Sequence, residues 1–138
     1  MTNHRRLPAP QAQAFVVCRE IWENPRTNEV MLAGPRSHIP VPEFPASVQV
    51  SVFAHVTGGH GQYPMEFLLR GPDGEPVWQW TPEDLLVHDD PLTPQQLIFH
   101  DLVITVPRAG RYELTLIAGD EEIGRQPLLI GPASALAG

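Results

Sequence analysis

Six histidines and several adjacent carboxylates are the side chains of this sequence that could do chemistry. Imidazole nitrogens and carboxylate oxygens are common ligands of divalent metals, and a metal site needs several of them to converge. The tightest group is His88-Asp89-Asp90, with His100-Asp101 further along the chain. A surface divalent-ion site that uses His88 and His100 is one interpretation, and an acidic solvated loop is the other. We favour the loop, because the repeated ligand spacing of zinc motifs is missing.

Two further histidines, His55 and His60, flank the pair Gly58-Gly59. Glycines let a backbone approach a ligand closely, and histidine could supply the chemistry. However, His55 lies on the polar face of a predicted strand and His60 lies in the turn that follows. The glycine-rich string is not a phosphate loop, because no helix start with lysine and serine or threonine comes after it. Both histidines are therefore predicted to be surface residues beside a hairpin turn.

A nucleophilic mechanism has little support in the sequence. Cys18 is the only cysteine and lies within an apolar segment, where a thiol usually acts as a small buried hydrophobe with a raised pKa. No serine occupies a Gly-x-Ser-x-Gly elbow. We therefore predict no catalytic residue, no metal and no cofactor, and expect that the protein is not an enzyme.

Trp78 and Trp80 are two residues apart and so share one face of a predicted strand. Facing outward, they would form an aromatic platform of the kind that binds sugars or partner proteins. Facing inward, they would belong to the core. The core is favoured because Met65, Phe67 and Leu69 on the preceding strand offer a matching apolar face, and the outward arrangement stays open.

The elements that must position these residues are strands. Residues 46–57 alternate between apolar and other side chains, which gives one apolar face only if the segment is extended. Gly71-Pro72-Asp73-Gly74 forms a turn between two apolar segments, which predicts a hairpin. The connection 81–96 begins like one short helix at Thr81. Strands are predicted over residues 14–22, 30–34, 46–57, 65–70, 77–80, 97–106 and 111–118, and in a last segment that ends at Ile130.

Seven to eight short strands with frequent turns are typical of an antiparallel β-sandwich. The predicted organisation is a flexible, proline-rich arm over residues 1–13, a sandwich domain over 14–131 and a tail over 132–138. The net charge of −7 disfavours nucleic acid and anionic membrane as partners, because both need a basic patch. No apolar stretch is long enough for a membrane helix, and no signal peptide is recognisable, so a cytoplasmic location is expected.

The closing segment adds a resemblance. Pro107-x-x-Gly110-x-Tyr112, followed by two strands around a short turn, resembles the last hairpin of many immunoglobulin-like sandwiches. Together with Cys18-Arg19-Glu20, Phe44-Pro45 and the 71–74 turn, residues 14–131 resemble a family of small bacterial proteins known only as a domain of unknown function. This resemblance implies an immunoglobulin-like sandwich in which Gly110 turns the chain and Tyr112 anchors the corner. It implies no catalytic residue.

The first predicted strand suggests association. It is apolar on both faces, with Phe15, Val17 and Ile21 on one face and Val16, Cys18 and Trp22 on the other. A strand buried on both sides needs a cover from a loop, from the arm or from another subunit. The leading hypothesis is therefore a non-catalytic protein that binds a protein partner or its own copies as a homo-oligomer. The alternative is a module for a small ligand, a carbohydrate or a divalent ion, and the third is a metal-dependent enzyme with His88 and His100.

Overall fold

The computed structural model of this protein describes residues 10–132. This part of the chain forms strands joined by turns and holds no helix, hence none that could cross a membrane. The strands are β1 (Gln11–Glu23), β2 (Val30–Pro35), β3 (His38–Pro40), β4 (Ala46–Thr57), β5 (Gly61–Tyr63), β6 (Met65–Arg70), β7 (Pro76–Trp80), β8 (Leu86–His88), β9 (Gln95–Val106), β10 (Gly110–Ala118) and β11 (Glu121–Gly131).

Two sheets face each other. The first has the strand order β2-β1-β4-β9, the second has the order β3-β11-β10-β6-β7, and β5 and β8 form a small additional pair. All pairs are antiparallel except β3 with β11. The core lies between the inner faces of the two sheets. The order β1-β4-β9 against β11-β10-β6 is that of immunoglobulin strands A-B-E and G-F-C, so the fold is an immunoglobulin-like β-sandwich, as predicted.

The alternating segment forms the centre of the first sheet. Strand β4 pairs with β1 on one side and β9 on the other, and every second side chain from Val48 to Val56 is buried in the core. On the opposite sheet, Phe67, Leu69, Leu114 and Leu116 are fully buried against them. The period of two in the sequence thus reflects burial of a single face.

Tyr112 closes the corner between the sheets. Its ring is fully buried, and its hydroxyl donates a hydrogen bond to the backbone carbonyl of Arg108, four residues upstream. Gly110 has φ +155°, and a Cβ there would come within 2.5 Å of the Pro72 ring. The resemblance had implied these two roles, and the geometry of the turn shows why a side chain at residue 110 would not fit.

Three details differ from the sequence-based prediction. The structure has eleven strands rather than seven or eight in its described part, because three-residue strands lie in connections that were expected to be loops. The short helix predicted from Thr81 is absent, since Leu86–His88 pairs with Gly61–Tyr63 instead. Strand β1 begins at Gln11, so the end of the predicted arm pairs with β4, while residues 1–9 and 133–138 lie outside the described residues.

The second half of β1 leaves the sheet. Cys18 lies opposite Ser51 of β4, so Glu23 would lie about 16 Å further along if β1 continued straight. Instead, the Glu23 carboxylate is 2.8 Å from Nε2 of His100, which lies on β9 beyond β4. The hairpin of residues 18–35, formed by the second half of β1 and by β2, therefore folds across the outer face of the sheet. It supplies the cover over Cys18 that the sequence required, and both Cys18 and Ser51 are buried.

Candidate functional site

His88 connects two loops at one end of the sandwich. Its side chain is only 3% exposed, and its Nδ1 accepts a hydrogen bond of 2.9 Å from the Gly59 amide. The other ring nitrogen, Nε2, lies 2.7 Å from the carbonyl oxygen of Thr93. Since a carbonyl can only accept, Nε2 carries the proton and Nδ1 is the acceptor. Both nitrogens are therefore used to hold backbone groups in place.

Gly59 makes this arrangement possible. A Cβ at this position would lie 2.7 Å from Nδ1 of His88, which is too close, and would make a tight contact of 3.1 Å with Cβ of Pro10. Close approach of a ligand to the glycine pair was the interpretation that the sequence disfavoured, and in the structure the imidazole of His88 fills the space beside Gly59. The Gly58 amide also donates to the Pro91 carbonyl at 2.8 Å, so the two loops are joined twice.

Asp90 organises the second of these loops. Its carboxylate accepts hydrogen bonds from the Leu92 amide at 3.0 Å and from the Thr93 hydroxyl at 2.8 Å. These bonds, first that from Leu92 and then that from Thr93, hold the pKa of Asp90 below its ordinary value. An aspartate that caps its own loop in this way is a common turn motif.

The histidines that the sequence offered as metal ligands have different partners. His88 bonds to backbone groups, whereas His100 forms an exposed pair with Glu23. His60 is exposed, and its backbone amide donates to the Tyr63 hydroxyl at 2.8 Å. Within residues 10–132, no three His, Cys, Asp or Glu side chains are grouped so that they could hold a metal ion.

His55 lies on the outer face of β4. Its ring stacks on that of Phe53, with the ring centroids 6.5 Å apart. It lines a groove of about 950 Å³ between the tip of the hairpin and the start of β9, together with Asn28 and Gln96. The groove is open and lined mainly by polar side chains, and among residues 10–132 no other histidine lines it.

Trp78 and Trp80 are on the core side of β7. They lie opposite Leu69 and Phe67 of β6, two buried residues whose face they share. The Trp80 ring stacks on Phe67 at 6.0 Å and meets Phe99 edge-on at 6.4 Å. Trp80 remains 39% exposed because β7 is an edge strand. The structure thus gives the inward arrangement, and the pair does not form an outward platform.

The exposure of the apolar pair Trp22 and Met31 was not predicted from the sequence. There, Trp22 was assigned to an apolar face of the first strand that was expected to be buried. The two residues lie directly opposite each other on the solvent side of the hairpin, and they are 59% and 60% exposed. Their neighbours Ile21 and Leu32 point to the other side, where Ile21 is buried against the sheet. The fold-back of β1 decides this exposure, and alternation alone gave no signal for it.

Comparison with known proteins gives a family and a fold. Residues 13–131 match a family of unknown function (DUF6941), which confirms the resemblance seen in the sequence. No curated protein matches the chain. Among solved structures, an immunoglobulin-like protein of Pseudomonas aeruginosa is 12% identical over 90% of this chain and 98% of its own, with a TM-score of 0.38.

Proposed function

We propose that the chain, which belongs to this family of unknown function, works without catalysis by binding another protein through the outer face of the hairpin. The observation that carries the proposal is the cross-strand pair of Trp22 and Met31, both more than half exposed. Tryptophan and methionine are enriched in protein interfaces, and tryptophan is frequent among the residues that dominate binding energy.

The hairpin is a firm support for such a contact. The Glu23–His100 pair joins its inner side to β9, and buried Ile21 packs beneath it. A preorganised surface loses little conformational entropy when a partner binds. Trp22 and Met31 therefore lie on a hairpin that is already packed against the sheet before a partner binds.

The charges beside the pair indicate the chemistry of the partner. Glu20 and Glu29 each lie two residues from a member of the pair, and in the described part of the chain neither forms an ion pair. Complementary charges favour encounter and orientation. The surface therefore fits an apolar anchor of the partner that is surrounded by lysine or arginine side chains.

The absence of catalysis is part of the same proposal. Two of the polar groups that the sequence offered for chemistry have structural partners, since His88 holds Gly59 and Thr93 and Asp90 caps its loop. Catalytic residues need a free nucleophile, acid or base beside a cleft. The loops around His88 are instead built around their own hydrogen bonds.

The test is an affinity capture from the native lysate with three forms of the protein. The wild type, the double variant Trp22→Ala/Met31→Ala and the control Leu92→Ala are compared by quantitative mass spectrometry, since Leu92 is an exposed apolar residue in a different loop. We expect at least one protein to be retained by the wild type and by the control but lost from the double variant. Identical sets of captured proteins for all three forms would refute the proposal.

A captured partner allows a second measurement with purified proteins. Trp22→Ala is expected to weaken the affinity by about 30-fold, the effect of losing a residue that contributes about 2 kcal/mol. Because the partner surface is expected to be basic, the dissociation constant should also rise with salt concentration. A salt-independent affinity would contradict the inferred charge of the partner.

A further inference from the structure

A cavity of about 380 Å³ lies at the base of the hairpin, apart from the outer face that carries Trp22 and Met31. The pairing of β1 with β4 ends at Cys18 and Ser51, because the rest of β1 leaves the sheet with the hairpin. The next strand after the hairpin, β3, pairs with β11 of the second sheet instead. Residues 47–49 of β4 therefore line a space between the base of the hairpin and β3. Its volume lies within the range of about 300–1,000 Å³ that is common for small-molecule sites.

Three charged side chains line this cavity. They are Arg19 and Arg36 at the base of the hairpin, and Asp101 at the point where the pairing of β9 with β4 is irregular. Among the residues that the structure describes, none of the three forms an ion pair, whereas Arg108 and Arg125 each pair with a nearby carboxylate. Two guanidinium groups and one carboxylate thus border the same space, and no neighbouring side chain pairs with them.

The structure holds the two arginines in place without using up their donors. The backbone of Arg36 is fixed on both sides, because its amide donates to a carbonyl of β1 at 2.7 Å and its carbonyl accepts from the Gln126 side chain at 2.6 Å. One nitrogen of its guanidinium lies 3.5 Å from the Gln49 carbonyl oxygen, and a guanidinium has five N–H donors. Arg19 lies against Gly34, where a Cβ would come within 3.3 Å of Cβ of Arg19. Both side chains therefore keep free N–H groups for a ligand.

The part of the cavity formed by β3 and the residue after it is apolar. Ile39, Pro40 and Val41 line it there, and Ile39 belongs to the core. Glu20 lies at the rim, but the alternation of β1 directs its side chain to the solvent side of the hairpin, with Trp22. Small-molecule sites usually combine apolar walls with a few charged groups that orient the ligand. This cavity offers two cationic groups, one anionic group and an aliphatic wall.

We propose that this cavity binds a free α-amino acid with an aliphatic side chain. The carboxylate of the ligand accepts hydrogen bonds from the guanidinium groups of Arg19 and Arg36, whose paired N–H groups match the two carboxylate oxygens. The ammonium group of the ligand pairs with the Asp101 carboxylate, and its side chain packs against residues 39–41. A zwitterion provides a partner for both signs of charge. A simple anion would leave Asp101 unpaired, and a simple cation would leave both arginines unpaired.

Isothermal titration calorimetry at neutral pH with three related probes tests this charge pattern. L-Leucine carries both charges, N-acetyl-L-leucine lacks the ammonium group and L-leucinamide lacks the carboxylate. Each probe is titrated to about 10 mM, at which a site with a Kd of about 1 mM is largely occupied. We expect leucine to bind and the other two probes to bind at least about tenfold more weakly. Absence of leucine binding overturns the proposal. Equal affinity for N-acetyl-leucine overturns the role of Asp101, and equal affinity for leucinamide overturns that of the arginines.

Single substitutions then locate the binding site. Arg19→Gln and Arg36→Gln each remove one cation. Asp101→Asn removes the anion, and asparagine tolerates the φ of 55° at this position. Arg111→Gln is the matched control, because Arg111 is an exposed arginine of β10 that does not line the cavity. None of the four side chains is buried, so all variants should fold, which circular dichroism and the urea unfolding midpoint verify.

We expect each of the three cavity variants to bind leucine at least about tenfold more weakly than the wild type, a factor that corresponds to about 1.4 kcal/mol. The Arg111→Gln control should bind leucine with the affinity of the wild type. A cavity variant that keeps the wild-type affinity overturns this placement of the ligand. An equal loss in the Arg111→Gln control would show that overall charge, rather than the cavity, determines binding, and it would also overturn the proposal.

Discussion

Replacing His88 by alanine should destabilise the protein by about 1.5–4.5 kcal/mol. The imidazole is almost completely buried and holds the Gly59 amide and the Thr93 carbonyl. Gly59 is buried, so its amide would lose its acceptor without access to water, which costs about 1–3 kcal/mol. Thr93 is exposed and water can replace its bond, so only the net value of a hydrogen bond, about 0.5–1.5 kcal/mol, is lost there.

Two further substitutions separate these contributions. His88→Asn keeps an acceptor at the position of Nδ1 and loses the reach to Thr93, so it should cost about 1 kcal/mol. His60→Ala is the surface control in the adjoining loop. The side chain of His60 is exposed, and the hydrogen bond from its backbone amide to the Tyr63 hydroxyl is retained in the variant. The free energy of unfolding should therefore change by less than about 0.5 kcal/mol.

The measurement is urea unfolding, followed by circular dichroism and by tryptophan fluorescence. Coincident transitions with equal slopes would show that the variants differ in stability rather than in the number of unfolding steps. A His88→Ala variant within 0.5 kcal/mol of the wild type would refute the reasoning. So would an asparagine variant that is as unstable as the alanine variant, because it would show that the Gly59 amide contributes nothing.

Three other outcomes follow from single groups. Tyr112→Phe removes the hydroxyl that donates to the Arg108 carbonyl, and it should lower the free energy of unfolding by about 1–2 kcal/mol in the same urea assay. An unchanged unfolding midpoint would show that the corner does not depend on that hydrogen bond. Burial raises the pKa of the Cys18 thiol, so an alkylating reagent at neutral pH should modify it only as fast as the protein unfolds; rapid labelling of the native form would contradict its burial. Hydrogen bonding, chiefly from the Leu92 amide, lowers the pKa of Asp90 in the folded protein. The charged carboxylate therefore stabilises the fold at pH values above the pKa of the unfolded state. This stabilisation is lost as the pH falls through the pKa of the folded state. The difference in free energy of unfolding between wild type and Asp90→Asn should therefore be present at neutral pH and shrink in acid. A difference that grows in acid would contradict a lowered pKa of Asp90 in the folded protein.

Strand positions could be predicted wherever the sequence buries one face. Strand β4 is the best case, because its alternation from Val48 to Val56 determines both its extended form and its inner face. The turn at Gly71-Pro72-Asp73-Gly74 could be predicted for a different reason, since turn chemistry is local. The corner at Tyr112 was implied by the resemblance to immunoglobulin-like sandwiches. The short helix at Thr81 was wrong because a local helix-start signal was outweighed by pairing of β8 with β5, which are distant in sequence.

The residues that could do chemistry were all visible in the sequence, but their roles depended on contacts that it does not encode locally. Histidines at 60, 88 and 100 could be counted, yet only the folded chain shows that His88 holds Gly59 and that His100 meets Glu23. The inner face shared by the two tryptophans of β7 could be expected from β6, whereas the exposure of Trp22 could not. Alternation determines which side chains share a face, and the fold-back of β1 across the sheet decides which of those faces meets solvent.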